Sequence, residues 1–104
     1  MERASAWLYS ADGRAIRCVE LFVRSVGTHE QGVELFEADY PKYFAALRSA
    51  GSGREARTIA AGDAHTDAST AEFSVGYLRP LGIGAMLDCP IRVGGDMIGV
   101  LCNE

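Results

Sequence analysis

Three cysteines, Cys18, Cys89 and Cys102, are the first residues in this sequence that could do chemistry. A catalytic thiol must be an exposed thiolate with a cation nearby to lower its pKa. All three fall on stretches that read as strands, and no Lys, Arg or His stands out as placed to lower a thiol pKa. Cysteines in such runs pack as small hydrophobes. A second group, Asp63, His65 and Asp67, has i, i+2, i+4 spacing in a polar stretch, and His29 is the other imidazole. Carboxylate and imidazole could together bind a divalent ion. Metal sites usually need three or four ligands at fixed geometry, however, and the same aspartates serve equally as Asx turns or helix caps. The sequence therefore specifies no catalytic residue and no metal site. Asp88 differs, because it sits within an apolar run. A carboxylate on a partly apolar strand face is costly unless it is hydrogen-bonded or paired. It either meets a ligand or satisfies backbone N–H groups of a neighbouring loop, and internal satisfaction is the commoner role. Together with Asp63, Phe73, Tyr77 and Met86, Asp88 forms the candidate ligand-binding set.

Composition narrows the classes. The chain has 104 residues, room for one small domain. A 48% hydrophobic and 23% charged content is that of a globular protein rather than a disordered one. The formal charge is −4 with no basic cluster, which argues against nucleic acid and against an anionic membrane surface. No apolar run approaches the ~20 residues of a membrane span, and the N-terminus lacks the pattern of a signal peptide. Three unpaired-looking cysteines fit a reducing cytoplasm.

The elements that would position these residues can be read in order. ASAWLYS and AIRCVELFV flank Asp12-Gly13, a step suited to a type I′ hairpin with positive φ at both central residues. Centring the hairpin there pairs Tyr9 with Ile16 and Trp7 with Cys18. The other face then holds Ala6, Leu8, Val19 and Leu21. Both faces are apolar, so the sheet should be covered on both sides. Residues 25–31 read as a loop and 32–36 as a short strand. Asp39 reads as an N-cap before Pro41, with Tyr40, Tyr43, Phe44 and Leu47 as one helical stripe that ends at Gly51-Ser52-Gly53. Residues 57–61 suit a strand and 62–68 a polar loop. Ser69 and Glu72 have capping-box spacing for a second helix that ends at Pro80-Leu81-Gly82. The remainder reads as a hairpin around Gly94-Gly95. That register places Leu87, Cys89, Ile91, Ile98, Val100 and Cys102 on one face, and Met86, Asp88, Pro90, Gly99, Leu101 and Asn103 on the other. Pro90 should mark an edge or bulge.

The runs YPKYFAALRS and RTIAAGDAHTDASTAEFSVGYLRPLGIGAMLDCPIRVGGDMIGVLCNE resemble the GAF domains of bacterial sensor histidine kinases and diguanylate cyclases. Such domains read "YP-x-YF-x-AL", "I-x-A-x-DA", "D-x-x-T-x-E", "YL-x-x-LGI-x-x-MLD-x-P" and "GVLC-x-E" in this order, and SAWLYSADG matches their opening strands. The resemblance covers nearly the whole chain. It implies an α+β, PAS-like fold, with a central antiparallel sheet and short helices over one face. It also implies a single sensory domain over 1–104, truncated at both ends, without its flanking helices and final C-terminal elements.

The resemblance further implies a regulatory role in signal transduction. The domain would bind an unidentified small molecule, or relay a conformational change to a C-terminal kinase or cyclase output domain. Homodimers in the family form through the flanking helices. A ligand-free structural or dimerisation module is the alternative. A further, less favoured alternative is an enzyme of the kind that reduces free methionine sulfoxide; that branch uses a reactive cysteine in a pocket loop, whereas Cys18, Cys89 and Cys102 fall on expected strands. Bilin attachment needs a Cys-His pair, which is absent, and Cys89-Pro90 is too short a match to specify haem. Recognition residues for a cyclic nucleotide are not identifiable, so no cofactor follows from the sequence.

Overall fold

The computed structural model describes residues 2–53 and 55–104. Seven antiparallel strands form one sheet: β1 (Arg3–Tyr9), β2 (Ala15–Val23), β3 (Thr28–Glu30), β4 (Glu34–Phe36), β5 (Ile59–Ala61), β6 (Met86–Val93) and β7 (Asp96–Asn103). Their order is β3-β2-β1-β7-β6-β5, and β4 continues the β3 edge by pairing with the start of β2. The first and last strands therefore meet at the centre. Helix α1 (Pro41–Ser52) packs on the β5-β6-β7 half. A second cover is built from a 3-10 turn (Ala71–Phe73), a π-helical turn (Ser74–Leu78) and the short helix α2 (Arg79–Leu81). The fold is thus α+β, with short helices on one face of a central antiparallel sheet.

The two hairpins obey their turn residues, with one difference. Gly94 and Gly95 both have positive φ, as a type I′ turn requires. In the first hairpin only Gly13 does. The loop there is longer: Gly13 N–H donates to the Ser10 carbonyl, and Asp12 Oδ1 accepts from the Ser10 hydroxyl and from Arg14 N–H. With its carboxylate bonded locally, Asp12 keeps negative φ, and the turn lies between Ser10 and Arg14 rather than at a two-residue tip.

Two β-bulges decide which side chains are inside. Tyr9 pairs with Ile16 and Trp7 with Cys18 as expected, but Ala6 pairs with Glu20, so Val19 is an extra residue. An extra residue flips everything beyond it to the opposite face. Leu21 therefore joins Trp7, Ile16 and Cys18 in the core instead of lying opposite them. In the last hairpin Ile91 pairs with Gly99 and Arg92 with Met97, so Ile98 is extra. Val100 and Cys102 consequently share the buried face with Met86, Asp88 and Pro90, while Leu87 and Cys89 point outward. The simple register around Gly94-Gly95 had separated these two groups.

The helices differ from expectation in how they are capped. Asp39 does not cap α1, whose N-cap is Tyr40 and has no side-chain bond to it. The acceptor comes from elsewhere: Glu72 Oε1 takes the Tyr43 N–H at 2.6 Å. Glu72 is thereby unavailable for a capping box with Ser69, and Asp67 Oδ1 takes both the Ser69 N–H and its hydroxyl. Residues 28–30, read as loop, form β3 because Leu21–Val23 offers an open edge to pair with. The expected stripe does bury Tyr43, Phe44 and Leu47. Tyr40 and Tyr43 meet Phe73 at ring-centroid separations of 4.3 and 4.7 Å, and Phe73 meets Tyr77 at 5.7 Å. This aromatic seam locks the two helical covers together.

The outer face of the sheet has no cover among the described residues. Leu8, Val19, Phe22, Leu87, Ile98 and Leu101 on it are each 37–48% exposed. At the centre of the sheet, strands β1 and β7 approach so closely at Gly99 that a Cβ there would overlap the Trp7 carbonyl oxygen. Backbone cannot yield as a flexible side chain can. Gly99→Ala should therefore cost about 2 kcal/mol or more of unfolding free energy in urea denaturation. Wild-type stability in that variant would contradict the packing described.

Candidate functional site

The inner face carries two sites of different character. Beneath Phe73, Tyr77 and Met86, between the sheet and the aromatic seam, there remains a void of about 10 Å³. That is room for one water at most. Beside it, an open cleft of about 310 Å³ lies between the β2 edge and the helical segment at 76–81. Trp7 and Arg3 of β1 lie at its base, Cys18, Leu21, Gln31 and Val33 on one wall, and Tyr77 and Leu81 on the other. Its size is at the lower end of small-molecule sites.

Arg3 is held rather than free. Its Nε donates to Glu104 Oε2 at 3.3 Å, and the Tyr77 hydroxyl donates to Glu104 Oε1 at 3.0 Å. The side chains of Arg3 and Glu104 are only 13% and 2% exposed. Backbone bonds Arg3 N–H to Glu104 O and Glu104 N–H to Arg3 O make the two residues direct cross-strand partners. Burial pushes the Glu104 carboxyl above its ordinary range, against the pull of Tyr77 and Arg3. Burial, reinforced by Glu104, raises the Tyr77 phenol.

The sequence-derived set is only partly brought together. Phe73, Tyr77 and Met86 line the small void and largely fill it. Tyr77 alone of the five also lines the open cleft. Asp63 lies on the exposed loop, where its Oδ1 accepts the His65 N–H in an Asx turn. Asp88 is fully buried and lines neither space. Its Oδ2 accepts the Tyr43 hydroxyl at 2.5 Å, while Oδ1 has no hydrogen-bond partner among the described residues. Arg3 and Glu104 escaped the sequence reading although a signal existed. Arg3, Ser5 and Trp7 alternate on β1, and the alternation of Val100 and Cys102 on β7 continues to Glu104 just past its end, so both charged residues fall on the inner face.

The thiols are free, with Cys18 and Cys102 buried and Cys89 on the outer face. Burial raises the pKa of both inner thiols, the reverse of what a nucleophile needs. Among the described residues no group of three or more His, Cys, Asp or Glu is placed to hold a metal ion. No described helix is long and apolar enough to cross a membrane.

Asp88 gives this site a pH signature. Burial raises its pKa from 3.8 to about 6, although the Tyr43 and Cys102 hydrogen bonds oppose the rise. The folded chain thus binds this proton more tightly than the unfolded chain does. Stability is lost as pH climbs from about 4 through about 6, by at most about 3 kcal/mol. Asp88→Asn should remove that portion of the loss, so that denaturation curves of variant and wild type converge at acid pH and diverge above neutrality. Parallel curves from pH 4 to 8 would contradict the assignment.

Comparison with known proteins places this geometry. A solved structure similar to the chain is the GAF domain of a two-component sensor histidine kinase from Bacillus halodurans, with 22% identity and a TM-score of 0.63. The alignment covers 96% of this chain and 60% of that one, and at this identity the likeness is one of fold. No curated protein matches the chain. The family model for the GAF domain matches residues 1–103. The chain belongs to the GAF domain family.

Proposed function

We propose that the chain is a sensory, regulatory domain that takes a small molecule in the cleft beside Tyr77 and passes its occupancy to an output domain, a kinase or a cyclase. The observation that carries this reading is the cleft itself, an apolar-walled opening of about 310 Å³ with a buried, oriented arginine at its base. Its helical wall includes the π-helical turn Ser74–Leu78, a geometry that is rare and concentrated at functional sites. A ligand changes populations only through differential affinity for two conformations. Contacts to Tyr77 and Arg3 would supply it, because Tyr77, Glu104 and Arg3 tie the helical wall to both central strands. The exposed apolar outer face supports relay to a covering segment or to a second copy of the domain. No step in this reading uses catalysis, and a cytoplasmic, bacterial setting accords with the sensor-kinase resemblance.

A second reading is favoured by the filled void under Phe73, Tyr77 and Met86, which leaves the centre of the inner face without ligand space. In it the domain is a ligand-free structural or dimerisation module.

The two readings separate in one experiment. Trp7 is the chain's sole tryptophan and lies at the base of the cleft, so its emission reports occupancy. Native mass spectrometry of protein purified from cells, followed by titration of any co-purified compound, should show a Trp7 spectral change. It should also show a rise in Tm of about 10 °C or more at one hundred times Kd. A clean apo mass, with neither change across a metabolite panel, would transfer the assignment to the structural module.

A further inference from the structure

The geometry points to a small monoanionic acid, a carboxylate on a compact apolar body, as the molecule this cleft accepts, with Arg3 as the residue that recognises its charge. The inference rests on the reading of the cleft as the ligand site. Among the described residues Arg3 is the sole cation lining it. A guanidinium carries five N–H donors. Among the described residues Nε donates to Glu104 and the guanidinium also lies against the Tyr77 hydroxyl, which leaves donors to spare. The side chain is 13% exposed and lines the cleft, so the guanidinium is largely withdrawn from bulk water. Its planar fork of donors matches a carboxylate bidentately.

The surroundings restrict the ligand further. Glu104, held in turn by the Tyr77 hydroxyl, fixes the guanidinium plane and leaves it little freedom to lose on binding. The same carboxylate opposes incoming negative charge, and Glu30 at the rim adds a second. Arg3 is balanced by Glu104 and Glu30 adds a further negative charge, so repulsion weighs more on a dianion such as phosphate than on a monoanion, whose carboxylate must be held by hydrogen bonds to the guanidinium. Trp7, Leu21, Val33 and Leu81 form apolar walls, and the volume of about 310 Å³ accommodates a compact apolar body such as a benzene ring or a branched alkyl chain.

The test uses defined probes on the whole chain: benzoate and 3-methylbutanoate, the matching amides, and inorganic phosphate. Trp7 emission and the methyl NMR signals of Leu21 and Leu81 are the readouts. Each acid should bind at least about tenfold more tightly than its amide, the difference expected of a charge-assisted hydrogen bond, and phosphate should not bind. Glu104→Gln removes the competing carboxylate and should tighten acid binding several-fold. Arg3→Met alone would strand a buried carboxylate, so the decisive variant is Arg3→Met combined with Glu104→Gln, in which the preference for acid over amide must vanish. Amides that bind as well as the acids, or an acid preference that survives the double variant, would overturn the inference and leave the cleft as a ligand site. Preferential phosphate binding would also overturn it. If no probe of any charge perturbs Trp7 or the cleft methyls, the inference and the reading of the cleft fall together.

Discussion

The structure depends on the pairing of its first strand with its last. β1 and β7 lie side by side at the centre of the sheet, and each carries a hairpin outward, β2 on one side and β6 on the other. Neither hairpin has a buried face until this junction forms, since a two-stranded ribbon alone is marginal in water. The junction is tight at Gly99, where only a hydrogen fits against the Trp7 carbonyl, and it closes at the Arg3–Glu104 pair. Contacts this distant in sequence form late and at high entropic cost. Their reward is that residues from opposite ends of the chain share one buried surface.

That constraint also explains what the sequence could disclose. Turn chemistry was legible at Gly94-Gly95, and the apolar stripe Tyr43, Phe44 and Leu47 was legible from its spacing, because both signals are local. The extra residues Val19 and Ile98 were not. Neither extra residue is itself a glycine; Gly99 beside Ile98 was the one local hint of a bulge, and the sequence near Val19 carried none of that kind. The consequence was large, since one residue of slip moved Leu21, Val100 and Cys102 across the sheet. Asp39 and Ser69 looked like caps by residue type, but Glu72, reaching from another element, took the α1 amide. At the cleft, Tyr77 was legible as part of an apolar stripe. The Arg3–Glu104 pair lies 101 positions apart, so alternation could give the face of each residue but not their meeting.

The inner face divides its work between order and opening. The aromatic seam of Tyr40, Tyr43, Phe73 and Tyr77 fills the centre and joins both helical covers, so α1 and the 71–81 segment behave as one layer. Asp88 sits beneath that layer with a single strong donor, a costly arrangement in a core this small. The cleft lies where the seam ends, at Tyr77. A side chain that belongs both to the packed seam and to the cleft wall is a natural point for occupancy to be felt in the core.

The rims of the sheet carry a different consequence. One rim is split into two three-residue strands, β3 and β4, and the other is β5, also three residues long. Past the Ile59–Asp88 pair no described strand flanks β6, and there Pro90 offers no amide hydrogen while Arg92 turns to bond the Gly53 carbonyl. Short, interrupted or proline-bearing rims are poor templates for adding a foreign strand. The molecule can therefore leave a broad apolar face bare without inviting fibrillar growth, and self-association is steered toward stacking of faces instead of endless extension of the sheet.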